Sequence, residues 1–166
     1  DSTSGKSSAC FPCAISIGST WDEVLINELG VALGEEARVK DVDVLLGPTI
    51  NIHRHPLGGR HFESFSEDPF LTGRIAINYV QGVQSQDVAA CLKHFIGNDT
   101  EYERHLVSSN IDEKTLREIY LLPFEMGVKE GNAQVVMSAY NKLNNIYCSS
   151  HKELLIDILK NEWGFD

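Results

Sequence analysis

The central stretch of the sequence, residues 89–99, reads Ala89-Ala90-Cys91-Leu92-Lys93-His94-Phe95-Ile96-Gly97-Asn98-Asp99. Its apolar beginning has the length of a buried strand, and Gly97, Asn98 and Asp99 mark a turn after it. Parallel α/β sheets carry their ligand chemistry at the carboxyl ends of the strands, where loops vary over a rigid base. Lys93 and His94 are therefore placed to donate hydrogen bonds into a pocket, although a Lys-His pair alone is equally typical of a solvated strand end.

Composition places the chain among ordinary globular α/β proteins. Its 166 residues are 42% hydrophobic, which is enough for one domain with a substantial core. The formal net charge of −10 argues against binding to nucleic acid or to an anionic membrane surface, because both require a basic face. No apolar run approaches the roughly 20 residues of a membrane span, and residues 1–8 lack the apolar core of a signal peptide. We expect both ends of the sequence to be cuts through a longer protein.

Strand-like and helix-like segments alternate along the chain. Four short apolar segments are typical of strands, at residues 10–17, 42–46, 88–92 and 134–137, and each is followed by a segment with helical periodicity. This alternation predicts parallel strands joined by right-handed crossovers, in an open doubly wound sheet or a (β/α)8 barrel. The dinucleotide fingerprint G-x-G-x-x-G is missing after every strand, and polar clusters follow three of the four, so the barrel is favoured.

The predicted helices begin at residues with N-cap chemistry: two capping boxes, Thr20 with Glu23 and Ser150 with Glu153, and two aspartates, Asp68 and Asp112. Pro123 lies inside the third predicted helix and should bend it, because proline lacks the backbone N–H that the helix needs.

The irregular loop at residues 49–67 is long for a compact domain, which is typical of a functional loop. Arg60 follows two glycines that let the backbone bend tightly. Its guanidinium can fork onto a carboxylate or onto a pair of sugar hydroxyls. Pairing with Glu63 or Glu67 to hold the loop is an equally good interpretation. Tyr140, at the end of the fourth predicted strand, is placed to form a pocket wall.

Two further patterns could bind a metal or carry redox chemistry. The C-x-x-C of Cys10 and Cys13 precedes a strand-like segment and has no second pair to complete a tetrahedral zinc site, so buried apolar thiols are the better interpretation. His53, His55 and His61 include an H-x-H ligand spacing, but a Gly-Pro loop is poorly suited to hold them in register. No metal site is therefore predicted.

Six stretches carry a combined signature: Ala9-Cys10-Phe11-Pro12-Cys13, Leu46-Gly47-Pro48-Thr49-Ile50-Asn51-Ile52, Pro56-Leu57-Gly58-Gly59-Arg60 continuing to Phe62-Glu63-Ser64-Phe65-Ser66-Glu67-Asp68-Pro69, Leu92-Lys93-His94-Phe95, Asn98-Asp99, and Met137-Ser138-Ala139-Tyr140-Asn141-Lys142. Together they resemble glycoside hydrolase family 3, specifically its β-glucosidases, over almost the whole chain. The resemblance implies that residues 1–166 are a fragment of the family's N-terminal (β/α)8 TIM-type barrel domain. The fragment would hold about half of the barrel, as four strand-helix units, with no complete second domain.

The resemblance also implies a sugar site. Arg60, Lys93 and His94 would bind hydroxyls of the non-reducing sugar in the −1 subsite, and Met137 and Tyr140 would form its walls. The implied reaction is retaining hydrolysis of terminal β-D-glucosyl residues. The implied partner is a β-glucoside or oligosaccharide substrate, with no cofactor, metal, nucleic acid or membrane.

Neither catalytic carboxylate is expected within the chain. In the family the nucleophile is the Asp of a Ser-Asp-Trp motif, which is expected just beyond Asp166, and the acid/base Glu belongs to a later domain. Asp99, Glu63 and Glu67 are not expected to replace them. We expect the 166 residues alone to be inactive, and the remainder of their own protein to be needed to close the barrel.

Two alternatives stay open. The parent protein could act on xylosides or N-acetylglucosaminides instead of glucosides, although the loop at residues 58–69 is of the glucosidase type. It could also be a non-catalytic sugar-binding relative that keeps the pocket and has lost the nucleophile.

Overall fold

The structure is a computed structural model that describes residues 7–166, so most of the polar stretch at residues 1–8 lies outside the described residues. The helices are α1 (Ala14–Gly18), α2 (Glu23–Val39), α3 (Pro69–Gln84), α4 (Glu113–Thr115) and α5 (Leu122–Lys129), with π-helical stretches at Leu116–Leu121 and Glu153–Glu162 and 3-10 turns at His61–Glu63 and Cys148–Ser150. The strands are β1 (Val44–Leu45), β2 (Ala89–Phe95), β3 (Ser108–Ser109), β4 (Val135–Ser138), β5 (Lys142–Leu143) and β6 (Ile146–Tyr147). Within residues 7–166, no helix has the length and apolar character that a membrane span requires.

The main sheet has the strand order β1-β2-β4, and both of its pairings are parallel. Val44 of β1 lies opposite Ala89 of β2, and Lys93 of β2 lies opposite Met137 of β4. Parallel neighbours need a long crossover, which α3 supplies between β1 and β2, and α4 and α5 supply between β2 and β4. The predicted α/β architecture, with parallel strands joined through helices, is confirmed.

Strand β2 is the buried centre of this sheet. Ala90, Cys91 and Leu92 are fully buried, and so is Phe95 beyond the two polar residues of the strand. The Phe95 ring packs edge-on against Phe124 of α5, with the ring centroids 5.1 Å apart. Full burial of a Leu or Phe side chain contributes roughly 1.5–3 kcal/mol. The strand is therefore anchored by apolar contacts on both sides of Lys93 and His94.

The first predicted strand, at residues 10–17, is wrong. Its second half belongs to the short helix α1, so the described chain places three strands in the main sheet where four were predicted. A short apolar run fits a buried strand and a buried helix equally well, and tertiary packing decides between them. Helix α1 places Gly18 against the backbone of Phe65, so closely that an added Cβ would lie 2.3 Å from the Phe65 carbonyl oxygen.

The four cysteines divide into two environments. Cys91 on β2 and Cys148 are buried, and burial raises the pKa of both thiols. Cys10 and Cys13 are exposed, which corrects the expectation that they would be buried. They precede α1 instead of lying in a sheet, so the packing that a strand would have provided is missing.

Two of the predicted helix caps are confirmed and two are wrong. Asp68 and Asp112 each accept a hydrogen bond from the backbone N–H three residues ahead, at 2.9 and 3.0 Å. Helix α2 is capped by Asp22 and not by Thr20, whose hydroxyl donates to a carbonyl of α1 at 2.8 Å. The Ser150 hydroxyl likewise donates to the carbonyl three residues before it, at 3.3 Å. In both failed capping boxes the hydroxyl bonds a preceding backbone carbonyl, a local alternative to the cap.

A second, smaller sheet has the order β3-β5-β6, and the sequence did not predict it. Strands β5 and β6 form a hairpin whose two turn residues, Asn144 and Asn145, both have positive φ, at 48° and 71°. Asparagine tolerates this conformation, so the Asn-Asn pair was the available signal for the hairpin. The Asn144 side chain also bonds both the N–H and the carbonyl of Ile111, each at 2.9 Å, which ties the hairpin to the start of the crossover helices.

Strands β1 and β4 are each paired on one side only within the described residues. Unpaired parallel edges are templates for association with other chains. We therefore expect the 166-residue chain, purified alone, to self-associate and to lack a sharp cooperative thermal transition in circular dichroism. Val44→Lys places a charge on an exposed edge position of β1, and sedimentation should then shift toward monomer.

Val24→Lys is the control for this experiment, because it makes the same substitution at an exposed valine of α2, which is not part of the sheet. It should leave the association unchanged. A monomeric wild-type chain with a sharp thermal transition would contradict the prediction.

Candidate functional site

Polar side chains collect at the carboxyl ends of β1 and β2 and in the loop that follows β1. We call five of them the strand-end cluster: Asn51, Arg60, Glu63, Lys93 and His94. Hydrogen bonds and ion pairs join its members across the two strands. The structure therefore brings together Arg60, Lys93 and His94, the three residues predicted to bind sugar hydroxyls.

A 3-10 turn positions Arg60 and Glu63 beside each other. Residues three apart in such a turn lie on the same side, and the N–H of Glu63 donates to the Arg60 carbonyl at 3.0 Å. Arg60 Nε donates to Glu63 Oε1 at 2.8 Å, and Arg60 Nη2 donates to Oε2 at 2.9 Å. This bidentate pair raises the pKa of the Arg60 guanidinium and lowers that of the Glu63 carboxyl, so both groups stay charged at neutral pH. The sequence left Glu63 and Glu67 open as partners of Arg60, and the partner in the structure is Glu63.

Lys93 lies in the part of β2 whose backbone is bonded to the loop after β1. Its N–H donates to the Pro48 carbonyl at 3.1 Å, and its carbonyl accepts from the N–H of Ile50 at 2.8 Å. The side chain is only 14% exposed, and Nζ lies 3.7 Å from Glu63 Oε2. That distance makes an ion pair and is too long for a hydrogen bond. The fixed backbone and free ammonium donors suit Lys93 to bind the hydroxyl groups of a ligand.

His94 is buried beside Lys93 and is held by the Asn51 amide. Asn51 Nδ2 donates to the His94 carbonyl, and Asn51 Oδ1 accepts from the His94 N–H, both at 2.9 Å. Oδ1 also lies 3.2 Å from His94 Nδ1. Because an amide oxygen only accepts, Nδ1 carries the ring proton and Nε2 is left as an acceptor in the neutral ring.

The electrostatic surroundings keep His94 neutral. Burial, followed by the positive charges of Arg60 and Lys93, lowers its pKa from 6.5 to about 4. At neutral pH the imidazole therefore adds no charge to the cluster. The sequence suggested that His94 donates a hydrogen bond, whereas this tautomer offers Nε2 to accept one from a hydroxyl.

The two predicted pocket walls, Met137 and Tyr140, lie at and beyond the end of β4. Met137 pairs in register with Lys93. Tyr140 is 54% exposed, and its ring lies 4.5 Å from that of His105 and 5.2 Å from the Arg104 guanidinium. A guanidinium at this distance from an aromatic face is attracted by the ring quadrupole. The structure thus holds the Tyr140 ring by stacking on residues that follow β2.

Glu101 and Arg104 connect Tyr140 to the strand-end cluster. Arg104 Nη1 donates to Glu101 Oε2 at 2.8 Å, and Glu101 Oε1 lies 3.9 Å from Arg60 Nη1. Neither of these residues, nor Asn51, was identified from the sequence as part of the site. Their only signal was position, since Asn51 follows β1 and the other two follow β2, at the sheet edge where ligand-binding loops lie.

The histidine-rich loop is structural in this arrangement. His53 Nε2 lies 2.9 Å from the backbone oxygens of His61 and of Ser64, and its ring packs at a tilt against that of His61, with the centroids 5.0 Å apart. His55 is exposed. In the part of the chain that the structure describes, no three His, Cys, Asp or Glu side chains are grouped as a metal site requires.

The remaining acidic candidates lie apart from the cluster's cations. Glu67 is exposed, with no ion pair among the described residues. Asp99 is buried, and burial raises its pKa from 3.8 to about 6, while Arg54 and the Tyr120 hydroxyl act in the opposite direction. Neither residue is paired with Glu63 in the way that two carboxylates flanking a scissile bond would be.

The chain has extensive similarity to known proteins. It matches the glycosyl hydrolase family 3 N-terminal domain over residues 2–166. A β-glucosidase of Rhizobium radiobacter is 57% identical over 98% of this chain, which corresponds to 20% of the relative. A thermostable β-glucosidase B of Acetivibrio thermocellus is 52% identical over 95% of this chain and 21% of its own length. The chain therefore spans about a fifth of the length of these relatives.

Solved structures agree with the sequence matches. β-Glucosidase 3B from Thermotoga neapolitana, solved in complex with glucose, superposes with a TM-score of 0.93 at 53% identity, covering 94% of this chain and 22% of that one. DesR, a β-glucosidase from Streptomyces venezuelae in complex with D-glucose, superposes with a TM-score of 0.94 at 37% identity, over 97% of this chain and 20% of that one. The parallel sheet and its helices are thus part of a TIM-barrel-like domain, as predicted. Sequence, fold and the match over residues 2–166 lead to one conclusion: the chain belongs to glycosyl hydrolase family 3.

Proposed function

We propose that the 166 residues are part of a retaining β-glucosidase and supply sugar-binding residues of its −1 subsite. The observation that carries this proposal is the strand-end cluster, in which Arg60, Lys93 and a neutral His94 lie side by side at the carboxyl ends of β1 and β2. Fixed N–H donors beside a neutral acceptor match the alternating donors and acceptors of sugar hydroxyls. All the relatives named above are β-glucosidases, and two of the solved ones hold glucose, which favours a glucoside over a xyloside or an N-acetylglucosaminide.

Each of the five predicted site residues has a definite part in the proposed mechanism. Arg60 and Lys93 donate hydrogen bonds to hydroxyls of the non-reducing glucose and so hold its ring in the orientation that attack at the anomeric carbon requires. His94 Nε2 accepts a hydrogen bond from a sugar hydroxyl. Met137 and Tyr140 offer apolar surface to the faces of the sugar ring, and the Arg104 and His105 contacts hold the Tyr140 ring in place.

The cluster binds and orients the sugar, and the two carboxylates of the reaction come from elsewhere in the protein. Glu63 is paired with the side chains of Arg60 and Lys93, while Asp99 is buried and its pKa is raised to about 6. The nucleophile therefore comes from the residues that complete the barrel, and the acid/base Glu comes from a later domain. The partners of this segment are its β-glucoside substrate and the rest of its own chain.

The first prediction concerns the isolated chain. Purified residues 1–166 should show no turnover of an aryl β-glucoside above the buffer rate, because the cluster can bind a sugar but holds no carboxylate pair. The complete protein, assayed in parallel, should turn the substrate over. Turnover by the isolated chain that is lost in an Asp99→Asn variant would contradict the proposal.

The second prediction concerns Lys93 in the complete protein. Lys93→Ala removes a charged donor from the −1 subsite, so kcat/KM for an aryl β-glucoside should fall by roughly two orders of magnitude. The thermal unfolding midpoint should change little, because the Lys93 ammonium has no hydrogen bond to another described residue. Lys114→Ala, at an exposed position of α4, is the matched control and should retain full activity. Unchanged kinetics in Lys93→Ala would remove this residue from the site.

The third prediction concerns the charge of His94. Because its folded pKa is about 4 and its ordinary value 6.5, the ring should stay neutral from pH 8 to pH 5. Its contribution to stability is present above pH 6.5 and is lost as the pH falls through 4. Nuclear magnetic resonance of 13C-labelled histidine, with the His94 signal identified by its loss in His94→Gln, should give a midpoint near 4. A midpoint near 6.5 would show a solvated ring and contradict the proposed acceptor role.

A further inference from the structure

One carboxylate lies between two cations that come from different elements of the fold. Glu63 Oε1 accepts from Arg60 Nε at 2.8 Å, while Oε2 accepts from Arg60 Nη2 at 2.9 Å and lies 3.7 Å from Lys93 Nζ. Oε2 also accepts from the Thr49 hydroxyl at 3.3 Å. Arg60 belongs to the loop after β1 and Lys93 to β2. Glu63 is therefore the group through which the loop cation and the strand cation are held relative to each other.

Both cations keep donors free for a ligand in this arrangement. Arg60 uses Nε and Nη2 on Glu63, and its Nη1 lies 3.9 Å from Glu101, beyond hydrogen-bond distance. Across residues 7–166, the Lys93 ammonium makes the Glu63 ion pair and no hydrogen bond. The carboxylate thus fixes the two groups without using all of their N–H bonds.

The position of Glu63 between the two cations also determines the net charge of the site. Arg60 and Lys93 without a counter-ion would form a site with two positive charges, the kind that binds phosphate or a carboxylate. Glu101 compensates only the Arg60 side of the pair, at 3.9 Å, and it shares its charge with Arg104, which it hydrogen-bonds at 2.8 Å. Glu63 is the carboxylate within 4 Å of both cations among the described residues. The net charge that a ligand meets at the pair therefore depends on Glu63.

We propose that Glu63 is a positioning and specificity-determining residue. Its carboxylate fixes the position of the Arg60 guanidinium relative to the Lys93 ammonium. It also cancels enough of their positive charge that the two cations bind the hydroxyls of a neutral sugar in preference to an anionic group. This inference rests on the proposed function, since it concerns the same sugar site. In this proposal, the Glu63 side chain is responsible for the rejection of sugar phosphates and uronosyl groups.

Glu63→Gln tests the charge, because glutamine keeps the shape and one acceptor oxygen while removing the negative charge. In the complete protein we expect kcat/KM for an aryl β-glucoside to fall roughly tenfold, the scale of one weakened charged hydrogen bond. Competitive inhibition by inorganic phosphate, measured at constant ionic strength, should strengthen by roughly tenfold, because one nearby counter-charge has been lost. Glu67→Gln makes the same charge change four residues further on, at an exposed side chain, and should alter neither quantity.

Glu63→Asp separates position from charge. Aspartate keeps the negative charge but is one methylene shorter, so it cannot contact both cations at these distances. We expect kcat/KM to fall as in Glu63→Gln while phosphate inhibition stays at the wild-type level. If Glu63 had only a structural role, both variants would lower the thermal unfolding midpoint and would leave phosphate inhibition unchanged.

Three outcomes would overturn the proposal. They are wild-type kinetics with wild-type phosphate inhibition in Glu63→Gln, an equal rise of phosphate inhibition in Glu63→Asp, and loss of the thermal unfolding transition in both variants, which would make Glu63 a structural residue. Failure of the sugar site itself is distinguishable, because Lys93→Ala would then retain full activity whatever the Glu63 variants show.

Discussion

The parallel pairing of β2 with β1 and β4 is the constraint on which the rest of the structure depends. Five of the seven residues of β2 are buried, and the backbone of the strand bonds to a neighbour on each side, so its position cannot shift without exposing the core. Lys93 and His94 interrupt this apolar strand near its carboxyl end. Because residues before and after them are fully buried, a rigid strand and not a mobile loop holds the two polar side chains at the sheet edge.

Polar groups at that edge are stable because they satisfy one another. The Asn51 amide bonds the backbone and the ring of His94, and Glu63 bonds Arg60 while lying close to Lys93. A buried histidine beside two cations loses its own charge, which avoids a third positive group in a poorly solvated place. The same interactions that stabilise the cluster leave N–H donors and one ring acceptor for a ligand. Stability and the proposed sugar binding thus use different atoms of the same side chains.

Sequence reasoning succeeded where the physical signal is local. The apolar run of β2 and the aspartate caps of α3 and α4 follow from residues within a few positions of one another. It failed where a local pattern has two solutions. The run before Gly18 fits a strand or a helix, and the close approach to Phe65 selected α1. Thr20 and Ser150 had the spacing of caps but bonded preceding carbonyls instead.

The sequence by itself determined the alternation of strands and helices, the buried character of β2, and the placement of Lys93 and His94 at a strand end, because periodicity and composition encode burial directly. Only the tertiary structure decided which carboxylate faces which cation. Glu63 and Glu67 are four residues apart and chemically alike in the sequence, yet the 3-10 turn brings one of them against Arg60 and near Lys93 and leaves the other in solvent. Asn51 and His94 are 43 residues apart, and only the pairing of β2 with the chain that follows β1 brings them into contact. Long-range pairing of this kind produces no pattern in the local sequence, because its energy comes from forming the sheet and not from any short segment.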